Sequence, residues 1–252
     1  MSPRALASVF AAWLGLLPGV DAIASVSLSG TRLIFDGSLP EASLQVINRS
    51  AHEVLIQAWL SAPENIEGEP ETAGVGLPFV LTPHLARLDA GSRQTLRVLY
   101  QGAGMAKHVE SLLHLYVLEV PRRSELNNPL SIAIRQRINL FYRPPGLSGD
   151  PAGTALRLRW TVTQTDSGVF SLQIRNPTAF HAALQDVRLG DFKALDYLLL
   201  APGALHQVSV PATAFDKALT YSALNDYGGA QSYCAEPGMD ARKHTEYRSK
   251  DC

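Results

Sequence analysis

Residues Leu130 to Pro144 read LSIAIRQRINLFYRP, and no other stretch restricts the fold as much. Leu130, Ile132 and Ile134 alternate with Ser131 and Ala133, the period of a β-strand with one apolar face. Phe141 and Tyr142 then lead through Arg143 into the Pro144–Pro145 break. A strand of this kind either fills its own core or is offered to another protein. Periodicity alone leaves both open.

The 252 residues suffice for one large or two medium domains. A composition 46% hydrophobic and 18% charged supports ordinary cores rather than disorder. The formal net charge of -1 argues against broad electrostatic affinity for nucleic acid or anionic membrane. Residues 1–24 have the layout of a cleaved secretory signal: Arg4, an apolar run from Ala5 to Leu17, and the small-residue site Ala22-Ile23-Ala24. That run is shorter than the roughly 20 apolar residues of a spanning helix. With no longer apolar segment beyond it, the expectation is an exported protein without stable membrane insertion. The 2 cysteines, Cys234 and Cys252, then read as a disulfide. It closes a loop of roughly 18 residues, worth about 3 kcal/mol in the chain-entropy model.

Short alternating segments dominate the rest of the chain. Val26–Phe35, Ser43–Asn48, Val54–Leu60, Thr95–Tyr100, Leu112–Glu119 and Leu130–Tyr142 are expected strands. The Pro- and Gly-rich stretch RPPGLSGDPAG follows and reads as a linker. A second series comprises Leu156–Thr163, Val169–Arg175, Ala183–Leu189, Val208–Pro211 and Leu219–Leu224, with an irregular polar tail after Cys234. This is an all-β pattern, with one domain expected over 25–146 and another over 147–252.

Enzyme signals are missing. There is no phosphate loop, no dinucleotide fingerprint, no H-E-x-x-H and no G-x-S-x-G elbow. The 7 histidines (His52, His84, His108, His114, His181, His206, His244) lack ligand spacing and read as surface or edge residues. Asn48-Arg49-Ser50 matches a glycosylation sequon, a signal of little weight. No catalytic residue, metal site or cofactor is expected.

Several motifs, in order, carry a resemblance. They are Thr31-Arg32, PFVLTPHLARL (Pro78–Leu88), ESLLHLYVLEVP (Glu110–Pro121) and RINLFYRP (Arg137–Pro144). NPTAF (Asn176–Phe180), LAPG (Leu200–Gly203) and LNDYGG (Leu224–Gly229) follow in the second half. With these the chain resembles the periplasmic pilus chaperones of the PapD type, two immunoglobulin-like β-sandwich domains arranged in an L. The resemblance implies an ATP-independent periplasmic protein that folds and caps pilin subunits and delivers them to an outer-membrane usher. It does so by donor-strand complementation, the recognition mode known for chaperone–pilin pairs.

Mapped onto this sequence, the donor residues are Asn128, Leu130, Ile132 and Ile134. Pro129 stands at the strand's start, where a missing N–H is tolerated. Arg32 corresponds to the arginine that holds the subunit's C-terminal carboxylate. Its usual lysine partner is here Asn139, which brings no charge. Arg137, on the same face by strand alternation, is the expected substitute. Glu110, Arg143 and Asp226 match an ion-pair set that fixes the angle between domains, and Thr82-Pro83 matches a turn that can be cis. The short connection Arg122 to Asn128 resembles the short-loop class serving rigid pili. An exposed donor strand also leaves a self-capping homodimer open. Asn139 favours the competing reading, a secreted two-domain binding or structural protein, or a paralogue outside pilus assembly.

Overall fold

The computed structural model describes residues 25–65, 76–121, 132–164, 168–238 and 244–252. The expected signal over 1–24 lies outside them. In chain order the first strands are β1 (Val26–Leu28), β2 (Arg32–Asp36), β3 (Glu41–Asn48), β4 (Val54–Ser61) and β5 (Phe79–Thr82). β6 (Leu85–Leu88), β7 (Arg93–Tyr100), β8 (Ser111–Pro121) and β9 (Ile134–Arg143) complete the N-terminal half. They form two sheets, ordered β1-β3-β7-β5 and β2-β9-β8-β4-β6. The strands alternate, so one face of each sheet supplies the core. Phe35, Leu113, Leu115 and Leu140 meet Leu44, Phe79 and Val98 there, all buried. Phe35 packs edge-on against Phe79 at 5.6 Å between ring centroids.

A single-turn helix α1 (Thr154–Arg157) opens the second half. Behind it come β10 (Arg159–Gln164), β11 (Phe170–Arg175), β12 (Ala182–Leu189), β13 (Phe192–Leu200) and β14 (Leu205–Val210). β15 (Leu219–Leu224), β16 (Ala230–Pro237) and β17 (His244–Asp251) finish the chain. All eight strands join one sheet, ordered β13-β12-β15-β16-β17-β10-β11-β14, around a core that includes Trp160, Leu172, Ile174, Leu184 and Tyr221.

Four expectations need correction. Val26–Phe35 is two strands, because the chain breaks at Gly30 and passes from one sheet to the other. Leu156–Thr163 begins as α1, held by the Tyr221 hydroxyl donating to the Ala155 carbonyl at 2.9 Å. The tail after Cys234 is a hairpin of β16 and β17, not irregular chain. Tyr233, Thr245 and Tyr247 point inward, and β17 pairs with β10 on its other side. The Cys234–Cys252 disulfide, with its Cα atoms 5.2 Å apart, ties the two strands. Strands β5, β6 and β13 also add to the expected set, with the cis Thr82-Pro83 bond standing between β5 and β6.

One corner occurs in both halves and explains the sequon. The Asn48 amide donates to the carbonyls of His52, Leu88 and Asp89 at 2.8–3.1 Å, while its oxygen accepts from the Ser50 amide and hydroxyl. Asn176 repeats the pattern with Phe180, Leu200 and Ala201, and with Thr178. Both asparagines are fully buried. Each polar atom is satisfied by a backbone group that the corner would otherwise leave unpaired. The N-x-S/T spacing is thus the geometry of a corner.

Candidate functional site

β9 is paired unequally on its two sides. β8 accompanies it from Glu119 opposite Ile134 to Ser111 opposite Tyr142. β2 runs parallel to it only from Arg32 opposite Asn139 to Asp36 opposite Arg143. Among the described residues, no strand borders Ile134 to Ile138 on the side away from β8. An edge of this kind, with no described strand beside it, is a place where another chain can pair.

The side chains along this stretch change environment without changing face. Ile138, Leu140 and Tyr142 are buried in the core, whereas Ile134 is 36% exposed. Ile132, just before the strand and in the same alternation, is 62% exposed. The described strand begins at Ile134 rather than Leu130, and Asn128 and Leu130 lie outside the described residues. Opposite Ile134, the Glu119 carboxyl is only 3% exposed and leaves one oxygen without a partner. Burial pushes its pKa up, against a hydrogen bond from the Val26 amide. The Gln136 amide donates to the Val26 carbonyl at 2.9 Å, so this polar pair ties β1 to the open end of the sandwich.

The opposite face of β9 carries cations. Arg32, Asn139 and His114 stand in one row across β2, β9 and β8. Arg32 reaches the second domain, its Nη1 donating to the Leu224 carbonyl at 3.4 Å, and its guanidinium lies 5.9 Å from the Phe141 ring. Its Nε is buried without a partner, and burial lowers its pKa. One step along, exposed Arg137 lies opposite Tyr116. Tyr116 stacks on Trp59 at 5.3 Å, with Arg135 over it at 5.5 Å. His114 corrects the surface reading of the histidines, being 7% exposed with its Nδ1 unpartnered. Burial first, and Arg137 second, push the ring's pKa down.

At the end of β9 the two domains meet. Arg143 Nε donates to Glu110 Oε2 at 2.6 Å, and its two terminal nitrogens donate to Asp226 at 2.6 and 2.7 Å. Burial works to lower the arginine's pKa, but the bonds to Asp226 and Glu110 outweigh it and raise the value. Glu110 is held from the second domain as well. Its amide donates to the Ala179 carbonyl at 2.8 Å, and its Oε1 accepts from the His181 amide at 2.9 Å. The His181 ring adds a contact at 2.8 Å. Sequence reasoning paired Glu110, Arg143 and Asp226 through the resemblance, but it did not find His181. His181 directly follows Phe180, whose carbonyl accepts from the buried Asn176 amide of the corner.

Beside this junction lies a cleft of about 320 Å³, lined among others by Arg32, Phe141, Arg143, His181, Asp226 and Tyr227. Asn139 and Arg137 share a face with Arg32 but do not line it. No described cluster of His, Cys, Asp or Glu could hold a metal ion, and no described helix is long and apolar enough to cross a membrane.

Comparison with known proteins gives two family matches. Residues 25–148 match the pili and flagellar-assembly chaperone PapD N-terminal domain, and residues 154–235 the pili assembly chaperone PapD C-terminal domain. The chaperone protein FimB/FhaD of Bordetella pertussis is 36% identical over 222 residues, covering 84% of this chain and 88% of its own. The crystal structure of the Pseudomonas aeruginosa CupB2 chaperone superposes with a TM-score of 0.69 at 27% identity, covering 84% of this chain and 100% of that one. The Salmonella enterica SafB chaperone, solved in complex with the SafA pilin, matches with a TM-score of 0.69 at 26% identity over 86% of this chain and 98% of that one.

Proposed function

Because this chain belongs to the PapD family of pilus-assembly chaperones, with immunoglobulin-like N- and C-terminal domains, we propose that it captures an incomplete pilin subunit on the free edge of β9. The family is periplasmic and not enzymatic. The observation that carries the reading is the change along β9. Residues of one face are buried from Ile138 onward and exposed at Ile134 and Ile132, where no described strand borders the side away from β8. An exposed apolar edge is an aggregation hazard that proteins normally blunt, so its retention calls for a partner. If both isoleucines become buried in the subunit, each contributes about 1.5–3 kcal/mol, before any main-chain hydrogen bond forms. The donated stretch extends back through Leu130 to Asn128.

Arg32 anchors the subunit's C-terminal carboxylate, with Arg137 and Asn139 beside it. The row that pairs Arg32 with Asn139, and the buried Nε of Arg32 without a partner, support this placement. Charge-assisted bonds of this kind set register as well as affinity. Glu110, Arg143 and Asp226 hold the two domains in the geometry the subunit meets. Domain limits of 25–146 and 147–252, cleavage after Ala24, delivery to an outer-membrane usher, and membership of the short-loop class complete the reading. The last rests on the short connection from Arg122 to Asn128. Without a subunit, the same edge is open to capping by a second copy.

Co-expression with each pilin encoded beside this gene tests the reading. A stable one-to-one periplasmic complex is the expected result. Recovery of uncomplexed protein with every one of those pilins contradicts it.

A further inference from the structure

Three basic side chains line the 320 Å³ cleft between the domains, and they differ in what they have left for a ligand. Arg143 commits its Nε to Glu110 and both terminal nitrogens to Asp226. Arg32 makes one bond of 3.4 Å, to the Leu224 carbonyl, and its Nε has no partner. The third is His181, from the second domain, and its ring is held on one side only. Nδ1 lies 2.8 Å from Glu110 Oε1, and that carboxyl group already accepts from Arg143 Nε and from the His181 amide. A carboxylate so placed is an acceptor, so Nδ1 carries a proton and donates. Nε2 makes no hydrogen bond to any described residue, yet it is not enclosed either, so it opens onto the cleft. Phe141 links the two groups with donors to spare. The Arg32 guanidinium lies 5.9 Å from its ring centroid, and the His181 ring centroid lies 5.2 Å from it. Arg32 and His181 thus face one space from two domains.

We infer that His181 is a second binding residue for the subunit's C-terminal carboxylate: with both ring nitrogens protonated, it donates from Nε2 to the carboxylate that Arg32 also holds. The second domain thereby supplies the positive charge that Asn139 does not bring, and Glu110 orients the ring from behind. The inference rests on the anchor reading above and deepens it.

The charged groups around the ring come from every element that meets there. Glu110, just before β8, touches it, with Arg143 of β9 and Asp226 of the β15–β16 turn behind. Arg32 of β2, Asp150 ahead of α1 and Tyr227 line the same cleft. A bound carboxylate adds one negative charge beside the ring, and only the charged imidazole can donate to it from Nε2. Binding therefore takes up a proton at His181 wherever the free ring is neutral. By linkage, affinity for the carboxylate rises as pH falls across that range. A peptide ending in an amide brings no charge and takes up no proton there.

The test uses the full mature chain and a synthetic peptide of alternating valine and threonine, made with a free C-terminal carboxylate and again as the C-terminal amide. Affinity is measured by fluorescence anisotropy from roughly pH 8 to roughly pH 5.5, a range in which the peptide carboxylate stays ionised. Wild type is expected to prefer the free carboxylate and to bind it about tenfold more tightly at the acid end, the change that one fully linked proton produces over about one pH unit. Calorimetry in two buffers of different ionisation enthalpy is expected to show proton uptake with the carboxylate peptide and none with the amide. His181→Gln, whose side chain can still donate to Glu110, is expected to keep a reduced preference and to lose both the pH dependence and the uptake. A His181→Gln variant with the wild-type pH profile, or a wild type that takes up protons equally with both peptides, overturns the role of His181 and leaves the anchor standing. A wild type that does not distinguish carboxylate from amide, or an Arg32→Ala variant that distinguishes them as well as wild type, overturns the anchor reading and this inference with it.

Discussion

Arg143, the last residue of β9, holds Asp226 of the second domain in a two-bond grip of 2.6 and 2.7 Å while its Nε binds Glu110. One side chain thus fixes the end of β9 to the neighbouring domain. Glu110 is 3% exposed, and without Arg143 its carboxylate is left buried beside a histidine.

Replacing Arg143 with alanine is therefore expected to cost about 3–5 kcal/mol, the range for breaking a buried pair from one side. Asp226→Asn, on the exposed side of the network, keeps a hydrogen-bonding shape and is expected to cost about 1 kcal/mol or less. Urea denaturation measures both. Small-angle scattering is expected to show a wider spread of domain orientations for Arg143→Ala only.

The repeated corner yields a second prediction. Asn176→Ala leaves the carbonyls of Phe180, Leu200 and Ala201 without their donor in a buried site. An expected loss of about 2–4 kcal/mol follows from the cost of unsatisfied buried groups. Because His181, which binds Glu110 of the first domain, directly follows the Phe180 end of this corner, calorimetry is expected to show weaker coupling between the two domains.

Glu119 gives a pH dependence with a definite sign. Its folded pKa is raised by burial, so the folded state holds the proton more tightly than the unfolded state does. That contribution is present below the unfolded pKa and is lost as pH rises through the folded pKa. Glu119→Gln carries no charge and keeps an acceptor for the Val26 amide. It is expected to be more stable than wild type at about pH 7, with the difference shrinking towards about pH 4. Urea midpoints at the two pH values check this.

Much of this architecture was legible in the chain, for identifiable reasons. The Leu219–Leu224 strand and the break after Arg143 follow from alternation and from prolines that cannot continue a ladder. The β16–β17 hairpin was not legible, because its inward positions include Thr245 and Ala235, which mask a period normally carried by larger apolar residues. β5 and β6 are four residues each, too short for alternation to stand out around Pro83. Within the site, parity placed Arg137 with Asn139 but could not identify the strand beside them. His114 was missed for that reason. Its usable signal is alternate spacing from Tyr116 and Leu112, and this becomes informative only once β8 is known to pair with β9.

The central claim is that one face of β9 serves this protein's own core at Leu140 and a partner's core at Ile134 and Ile132. The most direct test compares Leu140→Ala with Ile132→Ala/Ile134→Ala, measuring unfolding free energy of the uncomplexed chain and capture of a cognate pilin. Leu140, fully buried, is expected to cost about 2–5 kcal/mol of stability. The double variant is expected to stay within about 0.5 kcal/mol of wild type and to lose at least about tenfold in capture, roughly 1.4 kcal/mol. A double variant that unfolds as easily as Leu140→Ala while capturing pilin normally would show that the isoleucines belong to this protein's own core, and would contradict the account.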